Sequence, residues 1–177
     1  MLIDKNQAEL IKQNKICFIK KFVPLKKEYD FNFISDVLEQ NHLTAFVCNA
    51  RENIKDIFQV RAVKNVMLEF QIIFDFLRKM FKYQPHEKDE IDLFFSLVSQ
   101  VGSAHVDEED VFILGLNGTT VYRVFDKNLS NVINKDYIIE KGDIIYIPNG
   151  IKHKVISLSP RVIASIGFFG EKINGSS

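Results

Sequence analysis

Asp143-Ile144-Ile145-Tyr146-Ile147-Pro148-Asn149-Gly150-Ile151-Lys152-His153 packs a strand, a turn and the start of a second strand into eleven residues. The run from Ile144 to Ile147 is β-branched and aromatic, which suits a pleated, half-buried surface. Pro148 has no backbone N–H to give a ladder, and Gly150 accepts the positive φ that a tight turn needs. The same grammar repeats on both sides. Further strands are predicted at 91–97, at 105–116 in one or two pieces, and at 119–125, 137–140, 143–147, 153–158 and 162–169. They are separated by Asn117-Gly118, Lys141-Gly142 and Ser159-Pro160. Many short strands at regular spacing with tight turns read as a sandwich, a jelly roll or a barrel.

Before residue 90 the periodicity changes. Starting at Asn53 or Asp56, apolar residues fall at Ile57, Val60, Val63, Val66, Met67, Phe70, Ile73, Phe74, Leu77, Met80 and Phe81, and the pattern stops near Pro85. Spacings of three and four predict one long helix over 57–81. Its apolar face suits either the chain's own sheet or a second copy in a homodimer, and packing on the sheet is the more economical reading. A shorter helix is expected over 33–39, with strands at 16–22 and 44–47. The fold class is therefore an all-β core with α additions. One domain, 1–177, is expected, with a mainly helical layer at 1–90 and the β core at 91–170.

Composition removes several classes of function. The chain has 177 residues and equal numbers of basic and acidic side chains, 23 of each, so it lacks the basic excess of a nucleic-acid binder. No apolar run approaches the roughly 18 residues of a membrane-spanning helix, and the N-terminus does not read as a signal peptide. Cys17 and Cys48 lie apart, as buried thiols of a reducing compartment do. The expectation is a soluble cytoplasmic protein. Phe is abundant at 16 copies, mostly at core-periodic positions.

Chemistry concentrates on two of the four histidines. His42 and His86 sit in polar surroundings and are expected at the surface. His105 stands two residues before Asp107, and residues i and i+2 of a strand share a face. His153 lies 48 residues on, beyond the Pro148-Asn149-Gly150 turn that can bring it back to that pair. Two imidazoles and one carboxylate on one side of an ion leave coordination positions open, which suits non-haem iron(II). Spacing alone also permits a chance pair and a distant histidine. The adjoining Glu108-Glu109-Asp110 alternate in direction, so they cannot all converge on one ion. They read as rim or solvated residues, with Asp110 a candidate orienter of the site.

The stretch Gly102-Ser103-Ala104-His105-Val106-Asp107-Glu108-Glu109-Asp110-Val111-Phe112-Ile113-Leu114-Gly115 resembles the metal-binding strand of the JmjC-like cupin oxygenases, nearest the bacterial ribosomal-oxygenase group. The 141–153 stretch and the ending Ala164-Ser165-Ile166-Gly167-Phe168 are similar to the same family's later motifs. The resemblance implies a double-stranded β-helix (the cupin or jelly-roll fold) with iron(II) held by His105, Asp107 and His153. It also implies 2-oxoglutarate as cosubstrate, with its oxidative decarboxylation coupled to hydroxylation of a substrate C–H bond.

The sequence departs from that family at one position. Relatives carry a basic residue on the strand after the first motif, where it anchors the distal carboxylate of 2-oxoglutarate. Ungapped matching from His105 places Thr120 there. A hydroxyl cannot neutralise a buried carboxylate, which left unpaired costs several kcal/mol, roughly. Arg123, three positions on, falls on the opposite strand face. Arg161 starts the last strand, with Ser165 on the same face. Other 2-oxoglutarate oxygenases place their carboxylate-binding Arg on that strand, followed closely by a Ser, and the planar guanidinium suits a carboxylate. Against this stands Arg161 as a solvated residue after the Ser159-Pro160 turn. Tyr122 and Ser96 are further hydroxyl donors to the pocket.

Ribosomal oxygenases add dimerisation and winged-helix regions that 177 residues do not accommodate. A small-molecule or peptide substrate is accordingly expected, without nucleic acid or membrane as partner. The alternatives are a metal-dependent cupin enzyme that does not use 2-oxoglutarate, and a metal-stabilised cupin that binds a small acid without catalysis.

Overall fold

The computed structural model describes residues 1–40, 46–48, 57–60, 67–97, 99–126 and 132–173. The N-terminal part runs α1 (Lys5–Lys12), β1 (Cys17–Ile19), α2 (Phe31–Gln40), β2 (Phe46–Cys48), β3 (Ile57–Val60) and α3 (Leu68–Phe81). The C-terminal part is all strand: β4 (Glu90–Ser96), β5 (Gln100–Val101), β6 (Asp110–Asn117), β7 (Thr120–Phe125), β8 (Ile133–Ile139), β9 (Ile144–Ile147), β10 (His153–Ser157) and β11 (Arg161–Phe168). A seven-stranded sheet has the order β1-β9-β6-β11-β4-β3-β2, and a four-stranded sheet the order β5-β10-β7-β8. From β4 to β11 the chain alternates between the sheets except at the antiparallel β7–β8 pair. This winding is the double-stranded β-helix that the family resemblance implied, one of the architectures the strand pattern left open.

Burial explains why β6, β9 and β11 read as near-continuous apolar runs. Both faces of the large sheet are covered. On one face Phe112 and Leu114 of β6, Ile144 and Tyr146 of β9, and Val162, Ala164, Ile166 and Phe168 of β11 join the core with the helices. On the other, Val111, Ile113, Ile145, Ile147 and Ile163 meet Tyr122 and Ile139 of the small sheet. Residue parity therefore decides which side chains look into the barrel.

The helices have local causes. Asp4 and Gln7 form a capping box at α1, each side chain accepting from the other's backbone N–H at 2.8 and 2.9 Å. Asp30 accepts from the Phe33 N–H at the start of α2 (3.1 Å). Phe70, Ile73, Phe74, Leu77 and Phe81 of α3 enter the core, so its apolar stripe is used within the chain. Gly118 and Gly150, at φ +70° and +78°, sit in two of the expected turns.

The long helix over 57–81 requires correction. Among the described residues of that span, Leu68–Phe81 is helical, and Ile57–Val60 is a strand between β2 and β4, with Phe58 opposite Phe95 and Val60 opposite Leu93. Four residues can satisfy a three-four spacing by coincidence, and the free edge of β4 gave them ladder hydrogen bonds. The expected helix start at Asn53 or Asp56, His42 and the Cys48 side chain lie outside the described residues. Cys17 is buried and His86 exposed, as expected. Among the described residues no helix is long and apolar enough to cross a membrane.

Phe112 joins the sheet to its helical cover. Its ring meets Tyr146 at 4.9 Å, Phe81 at 5.7 Å and Phe168 at 5.9 Å. Phe112→Ala is expected to cost about 3–5 kcal/mol of unfolding free energy, measured by urea denaturation, with Phe112→Leu costing clearly less.

Candidate metal centre

His105 and His153 face each other as an isolated antiparallel bridge. Each backbone N–H donates to the other's carbonyl at 2.9 Å, and the imidazole centroids stand 4.4 Å apart. Segment 105–109 alternates half-buried and exposed residues, so Asp107 lies on the same side as His105 while Val106 and Glu108 face solvent. The Asp107 carboxylate sits between the rings, with Oδ1 3.6 Å from His105 Nε2 and Oδ2 3.4 Å from His153 Nε2. One ligand atom from each of the three residues falls within 4.8 Å of the others.

The donor chemistry fits a metal ion. Nδ1 of His105 lies 3.0 Å from the Ser103 carbonyl, and Nδ1 of His153 lies 3.1 Å from that of Ile151. A carbonyl only accepts, so each Nδ1 carries the proton and each Nε2 lone pair turns toward Asp107. Burial holds the His153 imidazole below its usual range, against the upward pull of Asp107, and the neighbouring His105 adds to the lowering. A neutral imidazole is the form that ligates.

The three residues open into a cavity of about 410 Å³. Phe94, Ile113, Val155 and Ile163 make its apolar wall, and Tyr122, Arg161 and Ser165 bring polar groups into it. Arg161 is 5% exposed, so it is not the solvated residue of the competing expectation. Its Nε donates to Ser157 Oγ at 2.6 Å, it hydrogen-bonds Tyr122, and its buried Nη1 has no partner among the described residues. Burial pushes the Tyr122 phenol up to about 12, against the pull of Arg161, so it enters the cavity as a neutral hydroxyl. Thr120 and Ser96 are buried but do not line the cavity. Arg123 points outward into a bidentate pair with Asp136, both bonds 2.8 Å.

Other residues on the cavity wall escaped the sequence reading. Gln59 of β3 donates to the Asp92 carboxylate at 2.6 Å, and both line the cavity. Gln59 was missed because 57–60 read as helix, whereas Asp92 faces Ser165 across β4 and β11 and shares its parity. Glu109 also reaches the wall, where burial and then Asp107 raise its pKa.

A family model for the JmjC domain matches residues 77–175, more than half of the chain. The chain belongs to the JmjC domain family. Among solved structures it is similar to Escherichia coli YcfD, at a TM-score of 0.69 and 17% identity over 98% of this chain and 55% of that one. A structure of the same protein, described as a ribosomal oxygenase in complex with cobalt and 2-oxoglutarate, gives 0.67 and 19% over 95% and 52%. The non-haem alpha-ketoglutarate-dependent carbocyclase SnoK from nogalamycin biosynthesis gives 0.68 and 10% over 94% and 84%. Likeness at these identities establishes the fold. The chain spans about half the length of YcfD. No curated protein sequence is significantly similar to it.

The buried His153 predicts a pH effect whose sign is fixed. Its folded pKa lies below the unfolded one, so the unfolded chain takes up the proton first as pH falls, and stability drops below about pH 6.5. Urea midpoints measured in chelator between about pH 7.5 and 5.5 should fall, and fall less in His153→Asn.

Proposed function

We propose that this JmjC-domain chain is a non-haem iron(II)- and 2-oxoglutarate-dependent oxygenase that hydroxylates a C–H bond of a small molecule or peptide. One observation carries the reading: a single cavity holds both the His105, Asp107 and His153 donor set and a buried guanidinium whose Nη1 has no partner among the described residues.

Each residue then has a task. His105, Asp107 and His153 would hold the iron(II), leaving positions open on the cavity side. The chemistry supplied by bound iron(II) is activation of dioxygen coupled to oxidative decarboxylation of the 2-oxo acid. Arg161 receives the distal carboxylate of 2-oxoglutarate through Nη1, while Ser157 and Tyr122 hold its plane still. Ser165, four residues along the same face of β11, adds a hydroxyl. Phe94, Ile113 and Ile163 exclude water from the reacting end. The volume suits a small molecule or one side chain of a peptide. A cytoplasmic setting belongs to the same reading, since iron(II) and the buried thiol of Cys17 both suit reducing conditions.

Arg161 favours 2-oxoglutarate over a substrate that chelates the metal directly, and turnover to succinate separates the oxygenase from a cupin that only binds a small acid. A substrate that chelates the metal directly gives no partner to the buried Nη1, which has none among the described residues, and an unsatisfied buried donor costs about 1–3 kcal/mol. A carboxylate ligand removes that cost.

The test is turnover of 2-oxoglutarate to succinate by purified protein with iron(II), and binding of 2-oxoglutarate under argon with manganese(II) in its place. Asp107→Ala should abolish metal-dependent binding. Arg161→Ala should weaken 2-oxoglutarate binding by about a hundredfold, the scale of a truncated buried charge pair, with manganese(II) affinity kept. If Arg161→Ala binds 2-oxoglutarate as wild type does, the anchor assignment is wrong. If wild type with metal never binds it, the cosubstrate assignment is wrong.

A further inference from the structure

We propose that Asp110 and Asn149 form a clamp that sets the distance between the two halves of the metal centre, the His105–Asp107 segment and the turn leading to His153. This rests on the metal-centre reading above. Asp107 and Glu109 face the site cavity, while Glu108 and Asp110 line a separate cavity of about 330 Å³. The segment carrying Asp107 is thus a partition only one chain thick, and it is braced from the side away from the metal.

Three hydrogen bonds stitch the partition to the turn. Asp110 Oδ1 accepts from the Asn149 N–H at 2.9 Å, Asn149 Nδ2 donates to the Glu108 carbonyl, and the Gly150 N–H donates to the Asp107 carbonyl at 3.3 Å. His153 follows three residues after Gly150, so movement at this seam reaches both sides of the donor set. The other carboxylate oxygen of Asp110 has a different task. Oδ2 accepts from Tyr83 (2.7 Å), Tyr146 (2.9 Å) and Lys172 Nζ (2.8 Å). Lys172 also donates to the Ile11 carbonyl at 3.0 Å, tying α1 to the same point. One oxygen fixes Asp110 to the body of the fold, and the other fixes the turn to Asp110.

That division makes positioning separable from stability. Asp110→Asn/Lys172→Met removes the buried charge pair but keeps an Oδ1 acceptor for Asn149. Asp110→Ala/Lys172→Met removes both. Cobalt(II) is the probe, measured under argon by calorimetry and by its visible spectrum, alongside thermal melting of each variant. Both double variants should melt below wild type. The Asn variant should keep cobalt(II) affinity within about twofold, and the Ala variant should lose about tenfold or more with shifted visible bands, the range seen when groups that orient metal ligands are removed. Asn149→Ala, in an exposed turn, should lose several-fold in affinity with its melting temperature nearly unchanged. Wild-type affinity in all three variants would mean that Asp110 serves the fold alone. Equal loss in the two double variants would refute the role of the Oδ1–Asn149 contact. His105→Ala is the separate control: if it binds cobalt(II) as wild type does, the metal-centre reading itself fails.

Discussion

The paired hydrogen bonds between His105 and His153 are the constraint on which the site depends. Two residues 48 positions apart are held opposite each other by their backbones, so the imidazoles converge before any ion contributes. The winding of strands between the two sheets serves this pairing, because it returns the chain from β9 in the large sheet to β10 in the small one at the right level. The carbonyls of Ser103 and Ile151 then set the tautomers. A donor set prepared this way loses little conformational freedom when a cation arrives.

A second constraint is parity. The large sheet is covered on both faces, so every side chain of β6, β9 and β11 must face either the barrel or the helices. Arg161, Ile163, Ser165 and Gly167 face the cavity, while Val162, Ala164, Ile166 and Phe168 are committed to the helical side. Shifting β11 by one residue would put Arg161 among Phe and Ile side chains and aim Phe168 into the cavity. Register is therefore fixed by the cost of burying a guanidinium in an apolar layer as much as by the ladder itself. The helices serve the site through this effect: they make the outer face too apolar to tolerate any other alignment.

These two constraints show why the C-terminal half was legible in the sequence and the N-terminal half less so. The strand ends after residue 90 are marked by residues with backbone requirements of their own, such as Gly118, Gly150 and Pro148, and local chemistry suffices there. His105 and Asp107 could be paired in advance because i, i+2 spacing survives folding unchanged, whereas His153 was joined to them through the turn before it and the family resemblance. β3 was not found because its strand state comes from β4, more than thirty residues away, and four residues carry too little pattern to reveal it. Gln59 went unseen with it. α1 did carry a local signal, the Asp4–Gln7 capping box, but its eight residues have too weak a period to stand out. The role of Ser157 was hidden differently: its contact with Arg161 spans the Ser159-Pro160 turn, and no spacing rule announces it.

The same contact bears on Thr120, the position where the family resemblance implies a basic residue. In the β7–β10 ladder Thr120 lies directly opposite Ser157, and Ser157 Oγ accepts from Arg161 Nε. A guanidinium rooted on β11 thus contacts the strand neighbour of position 120. A second cation at position 120 would stand near the first and be repelled by it, and a single carboxylate could neutralise only one. A small residue at 120 and a buried arginine at 161 are then two halves of one arrangement. On the proposed reading, Arg161 alone supplies the one positive charge that the distal carboxylate of 2-oxoglutarate needs.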